Sequence, residues 1–272
     1  MDLVQGYNSD EGEDEARPGS WSRGQNKSHG STNTEPSEAD GKCPSTLDRH
    51  QGRIRSFPHQ EGSYATHVYI SVKIPGDVEQ ALHTVLTALQ EQLPALKPIP
   101  SPEALPTKGV LVQPTCHVSL SRVVPIRYAE IDPLLLSLKE ALAGTAKEEL
   151  SFGDLEVFEN DDKTRTFLSL GICKGRKRVC SAIKRVNKAF REHGLQQYYS
   201  SPKPHASLLW MLGSVREEME AAIGELSDHG QENGSMQGML GHLRAWTFCM
   251  DEISCKIGQR VRSVWSSKQQ CV

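Results

Sequence analysis

Apolar positions recur along the chain with two different periods, and the switch between them separates strands from helices. Val68, Ile70 and Val72 alternate with polar or aromatic neighbours across Thr66–Val72, as in a half-buried strand. Pro75-Gly76-Asp77 turns the chain. Val78, Leu82, Val85, Leu86, Leu89 and Leu93 then follow helical spacing, with Asp77 as the N-cap. Six prolines, Pro94, Pro98, Pro100, Pro102, Pro106 and Pro114, fix φ and remove donors, so this stretch reads as a surface loop. Cys116–Val124 reads as a strand and Leu134–Ala143 as a helix. Phe152–Phe158 and Arg165–Gly171 form a hairpin around Asn160-Asp161-Asp162. Val179, Ile183, Val186 and Phe190 mark an amphipathic helix. His205–Leu212 is a strand, Val215–Leu226 a helix, and the Gly-rich, polar residues 227–241 a loop. Ala245–Met250 and Arg260–Trp265 are closing strands. Strands joined by short turns and interleaved with helices predict antiparallel or mixed sheets with helices outside, an α+β fold.

Residues 1–50 break this pattern. They are rich in Ser, Gly, Asn, Glu and Asp and nearly lack branched apolar residues, so burial cannot offset their ordering entropy. They read as a disordered tail, with residues 51–268 as the folded part. The division changes the meaning of the charge. The chain of 272 residues has a formal net charge of -3, which taken alone speaks against a nucleic-acid partner. The tail holds ten acids against five bases, so the body is left mildly basic. There is no run of about 18 apolar residues, and no transmembrane helix is expected. The N-terminus shows no secretory signal. The seven cysteines contain no CxxC pair of the kind a zinc ribbon needs, and they read as free thiols. Cys116 reads as a buried small hydrophobe.

The candidate chemistry lies in two short segments that resemble each other. Cys116-His117-Val118-Ser119-Leu120-Ser121 and Pro204-His205-Ala206-Ser207-Leu208-Leu209 both read His-x-Ser-Leu, with their histidines 88 residues apart. In a strand, side chains alternate faces. His117 and Ser119 therefore share one face, and His205 and Ser207 share another. If the two segments meet, two imidazoles and two hydroxyls flank one substrate atom. One neutral and one protonated imidazole can remove and supply protons near neutral pH. Such assistance is typically worth about 10²–10⁴-fold. The hydroxyls can donate to phosphate oxygens that gain charge in the transition state. This combination suits phosphodiester cleavage without a metal.

At these residues the sequence resembles the 2H phosphoesterase superfamily, and more closely the U6 small nuclear RNA 3′-end processing phosphodiesterases. Other blocks carry the closer resemblance: Arg53-Ile54-Arg55-Ser56-Phe57-Pro58-His59, Tyr64-Ala65-Thr66-His67-Val68-Tyr69, Lys163-Thr164-Arg165-Thr166-Phe167, and Tyr198-Tyr199 before Pro202. The resemblance implies two pseudo-symmetric lobes of antiparallel sheet with outer helices around a central groove. It implies a nuclear 3′-to-5′ RNA exonuclease that trims uridines and some adenosines without metal or cofactor. The 2′-hydroxyl would attack, leaving a terminal 2′,3′-cyclic phosphate. By the same resemblance, His117 and His205 are the acid–base pair, with His205 taken as base and His117 as acid, or the reverse. Ser119 and Ser207 hold the phosphate. Tyr199 stacks on a nucleobase, and Ser201, Pro202, Lys203, Pro204 and Ala206 line the nucleotide pocket. Asp161 stands where relatives carry an amide. A carboxylate accepts hydrogen bonds but does not donate them, which leaves uridine preference open there.

A basic segment completes the inventory. Lys174, Arg176, Lys177, Arg178, Lys184, Arg185, Lys188 and Arg191 surround the apolar stripe of one helix. They can bind RNA phosphates, serve nuclear import, or simply solvate a helix face. The expected partner is the 3′ end of a small nuclear RNA, and the expected oligomeric state is a monomer. Other readings are a 2′,3′-cyclic or 2′-5′ phosphodiesterase using the same site, and a non-catalytic RNA-binding protein.

Overall fold

The computed structural model describes Phe57 and residues 60–99, 113–232 and 234–270, all within one unit of the chain. The segment expected to be disordered, residues 1–50, lies outside them, as do residues 100–112 of the proline-rich stretch.

The first half of the fold starts with β1 (Ser63–Lys73), α1 (Gly76–Gln90) and a two-residue β2 (Lys97–Pro98). β3 (Thr115–Ser119), β4 (Val124–Arg127) and α2 (Ile131–Leu142) follow. β5 (Glu148–Glu159), β6 (Arg165–Ile172), α3 (Arg176–Glu192) and β7 (His205–Leu212) form the second half. The chain ends with α4 (Arg216–Glu232), α5 (Gly234–Ala245), β8 (Thr247–Met250), β9 (Glu252–Ile257) and β10 (Arg260–Ser266). The strand order is β10-β9-β1-β3-β7-β6-β5-β8, with β4 beside β1 and β2 beside β7. All the pairings are antiparallel. β10, β9, β1 and β3 form one lobe and β7, β6, β5 and β8 the other. Along this strand order, Val118 with Ala206 is the pair of β3 and β7 that joins them among the described residues.

Helices cover one side of this sheet because the alternation sends Val68, Ile70, Val72, Val118, Leu168, Leu170 and Ala206 there. The apolar stripe of α3, with Val179, Ile183, Val186 and Phe190, packs into the same core. α3 lies against α2, and α1 against α5. Gly175 opens α3 at φ 79°, in the left-handed region, and a Cβ there would run into Leu150.

Three expectations are corrected, and one strand was missed. The strand expected over Cys116–Val124 is broken into β3 and β4. The Ser121 hydroxyl accepts from the Val68 N–H at 2.9 Å and donates to the Arg122 carbonyl at 2.8 Å, replacing the ladder. Residues 227–241, expected as a loop, belong mostly to α4 and α5. Burial of Leu240 and Leu243 against α1 and β5 overrides the weak helix propensity of Gly238 and Gly241. The helix expected to be capped by Asp77 begins at Gly76 with Pro75 at the cap. Asp77 sits in the first turn instead, where its charge favours the helix dipole. β9 was not anticipated, although Ile253, Cys255 and Ile257 alternate and are buried.

Phe190 is fully buried at the contact of α3 with the sheet. Phe190→Ala should lower stability by about 3–5 kcal/mol in a urea titration. A loss below about 1 kcal/mol would mean that α3 is not anchored as described.

Candidate active site

The two His-x-Ser segments do not face each other across a gap. They lie side by side, on β3 and β7, at the seam of the lobes. Pairing of Val118 with Ala206 fixes the rest by strand geometry. One residue either side, His117 falls opposite Ser207 and Ser119 opposite His205. All four polar side chains share the face turned from the helices. Val118 and Ala206, both fully buried, point the other way. The site thus has a local two-fold relation about one backbone pair.

His205 is the better defined of the two rings. Its Nδ1 lies 2.7 Å from the Lys203 carbonyl oxygen, which can only accept. The proton of the neutral ring is therefore on Nδ1, and Nε2 carries the lone pair. Phe158 stacks on the imidazole with centroids 3.8 Å apart and planes 16° from parallel. Burial lowers the pKa of His205 to about 4. The hydrogen bond to Lys203 opposes that shift, and His117 adds to it. Gly171 pairs with His205 across β6, and the Glu156 side chain lies over its bare Cα. Any Cβ at that position would collide with this carboxylate.

Each motif serine is held by a side chain from the next strand outward. Ser207 Oγ lies 2.9 Å from Ser169 Oγ on β6. Ser119 Oγ lies 3.0 Å from His67 Nε2 on β1. His67 stacks on Tyr69, with centroids 5.3 Å apart, and both meet His117 edge-on, at 5.2 and 5.5 Å. Burial pushes His67 well below the ordinary histidine range, helped by His117 and Lys256. Sequence reasoning assigned no role to His67, Tyr69, Phe158 or Ser169. The signal for the first two was available: they alternate with Val68 and Ile70, which puts them on the face turned from the helices.

The remaining expected residues lie around this centre. Lys203 supplies its carbonyl to His205, and the Pro204 carbonyl accepts from the Ile172 N–H at 2.9 Å. Ser201 is exposed and Pro202 half-buried. Ala206 was expected in the nucleotide pocket, but its methyl is buried on the helix side, because it alternates with His205 and Ser207. It acts through packing. Tyr199 is half-buried, with the Arg122 guanidinium 4.0 Å from its ring centre. Its hydroxyl donates to Asp161 Oδ1 at 3.2 Å, and Arg122 pairs with Oδ2 of the same carboxylate. Arg122, also missed, thus ties the first lobe to the hairpin turn of the second. A cleft of about 260 Å³ opens beside Phe158 and Lys203, walled by β5 and by Arg216 and Glu220 of α4. Burial pushes the Cys116 thiol up to about 12, so it stays protonated, as befits a core residue.

The basic helix does not reach this face. Lys177, Lys184, Lys188 and Arg191 are exposed on α3, on the side of the sheet that the histidines turn away from. Lys174 and Arg178 pair with Glu149 and Glu148, and Arg185 donates to the Ala141 carbonyl at 3.0 Å. Among the described residues, no group of three or more His, Cys, Asp or Glu is placed to hold a metal ion, and no helix is long and apolar enough to cross a membrane.

Comparison with known proteins shows the family. Residues 31–265 match the family HVSL, described as an uncharacterised conserved protein. Those four letters stand in this chain at His117-Val118-Ser119-Leu120. U6 snRNA phosphodiesterase 1 of Bos taurus is 30% identical, over 95% of this chain and 96% of its own length. The protein of the same name from Danio rerio is also 30% identical, over 79% of this chain and 71% of its own. The structure of Kluyveromyces marxianus Usb1 superposes with a TM-score of 0.52 at 16% identity, covering 74% of this chain and 97% of that one. The structure of Kluyveromyces marxianus Usb1 with uridine monophosphate gives the same TM-score. A sheet seam carrying both His-x-Ser pairs, a family match across most of the chain and relatives at 30% identity lead to one conclusion: the chain belongs to the U6 snRNA phosphodiesterase 1 family, with a 2H phosphoesterase-like α+β fold.

Proposed function

We propose that this chain is a metal-independent phosphodiesterase that trims the 3′ end of U6 small nuclear RNA in the nucleus. The observation that carries the proposal is the seam itself: two imidazoles and two hydroxyls on one face, related by the Val118–Ala206 pair. Two separate acid–base groups around one phosphorus are what a transesterification needs.

The roles follow from the protons. His205 is neutral and presents the Nε2 lone pair, so it takes the proton of the 2′-hydroxyl on the penultimate ribose. The 2′-oxygen then bonds to phosphorus, and the P–O5′ bond to the terminal residue breaks. His117 delivers a proton to the departing O5′. The products are a 2′,3′-cyclic phosphate on the RNA and a released residue with a 5′-hydroxyl. Ser119 and Ser207 donate to the non-bridging oxygens as charge builds there. Tyr199 offers its ring to a nucleobase, with Arg122 already over that ring. Base–aromatic stacking is worth roughly 1–3 kcal/mol and tolerates different bases, in keeping with trimming of both uridine and adenosine.

The central test is incubation with 3′-oligouridylated RNA in EDTA, with both product ends identified by mass spectrometry. Shortened RNA ending in a cyclic phosphate is expected, and loss of all cleavage on chelation would overturn the metal-free mechanism. Cleavage of 2′-5′ oligoadenylate in preference to linear RNA would move the chain to another activity of the same site. Tight RNA binding without turnover would make it a binding protein. His117→Ala and His205→Ala should each cut the rate by about 10²–10⁴-fold with an unchanged thermal melt. Wild-type rates in either would remove that residue from the mechanism.

The pH dependence has a definite sign. A base must be unprotonated, and His205 stays so down to about pH 4. The kcat/KM profile should therefore not fall between pH 7 and pH 5, and its acid limb should lie near 4. An acid limb at the ordinary histidine pKa of about 6.5 would reverse the assignment of base and acid.

A further inference from the structure

Strand pairing gives each motif serine a neighbour from outside the motif. On one side that neighbour is Ser169, on the other His67. Only the second is titratable and tautomeric. It is also fixed between Tyr69, His117 and Ser119.

A serine hydroxyl has one proton and two lone pairs. The proton can go to one acceptor only. If His67 Nε2 were bare, it would take the Ser119 proton, and Ser119 could show a phosphate oxygen only its lone pairs. If Nε2 carries hydrogen, the ring donates to Oγ and does not take the serine proton, which a bound phosphate can then accept. A doubly protonated ring would also donate from Nε2. Burial works against that form, and so do the neighbouring charges of His117 on β3 and Lys256 on β9. The choice therefore falls on which nitrogen of the neutral ring holds the proton.

We infer that His67 is a positioning residue for Ser119: with its proton on Nε2 it donates to the serine oxygen and aims the serine hydroxyl at the scissile phosphate. The inference rests on the phosphodiesterase reading of the seam. It makes the serine pair unequal. Ser207 is backed by a hydroxyl that can turn either way, whereas Ser119 is backed by a ring whose direction is set by packing. His67 touches no reacting atom, so its effect must pass through Ser119.

That dependence can be measured. His67→Leu should lower kcat/KM on 3′-oligouridylated RNA by about tenfold, mainly in kcat, as loss of one hydrogen bond implies. His67→Gln, whose amide N–H reaches a position close to Nε2, should keep most of the rate. In a Ser119→Ala background, His67→Leu should cost nothing further. Additive losses, or wild-type kinetics for His67→Leu, would overturn the proposal. The ring proton can be read without turnover, by long-range ¹H–¹⁵N NMR of the labelled protein. Hydrogen on Nε2 is expected, and a neutral ring protonated only on Nδ1 would sink the inference even if the enzyme is fully active. A wild-type chain that cleaves no RNA would instead refute the phosphodiesterase reading, with the NMR result still deciding the direction of the His67–Ser119 bond. If His67→Leu fails to fold, the comparison of His67→Gln with wild type and the NMR measurement remain.

Discussion

One backbone pairing, Val118 with Ala206, carries the organisation of this molecule. It sets β3 beside β7, and side-chain alternation then dictates which atoms meet. His117, Ser119, His205 and Ser207 are forced onto the face turned from the helices, and the residues between them onto the helix side. A slip by one residue would turn the histidines into the helix-side core and Val118 and Ala206 away from it. The helices on the far side make such a slip costly, since Leu168, Leu170, Val179 and Phe190 occupy the space a misregistered imidazole would need.

Around that pair, the two lobes supply equivalent but not identical surroundings. His205 is desolvated under Phe158 and fixed in one tautomer by the Lys203 carbonyl. His117 lies instead in a cluster of rings with His67 and Tyr69. Two imidazoles alike in sequence context therefore meet different physical environments. This suits a reaction in which one group must accept a proton and the other give one.

Much of this was legible in the sequence, and the exceptions have physical reasons. Period-two alternation located β1, β6 and β7, and helical spacing located α1, α2 and α3, because each buries one face in the common core. The repeated His-x-Ser announced the four central side chains. What alternation cannot carry is which strands become neighbours. His67 is 52 residues from Ser119 and belongs to no repeat, so only the β1–β3 pairing reveals its contact. Arg122, Asp161 and Tyr199 meet from three separate segments for the same reason. α5 was read as a loop because its composition is polar and Gly-rich, and its helicity comes from burial of Leu240 and Leu243. Net charge averages unlike parts of the chain, since residues 1–50 hold ten acids against five bases while a stripe of lysines and arginine lies along α3.

The connectivity of β9 carries a consequence for the timing of synthesis. This strand returns from the end of the chain to pair with β1, setting Ser254–Ile257 against Thr66–Tyr69. Both His-x-Ser motifs leave the ribosome long before it does. Until β9 docks, β1 lacks one neighbour, and the ring cluster beside His117 stands at an open sheet edge. Closing a contact of such sequence separation is intrinsically slow. A nascent or truncated chain ending before Glu252 therefore holds every residue of the two His-Ser pairs and still lacks a finished cradle for them.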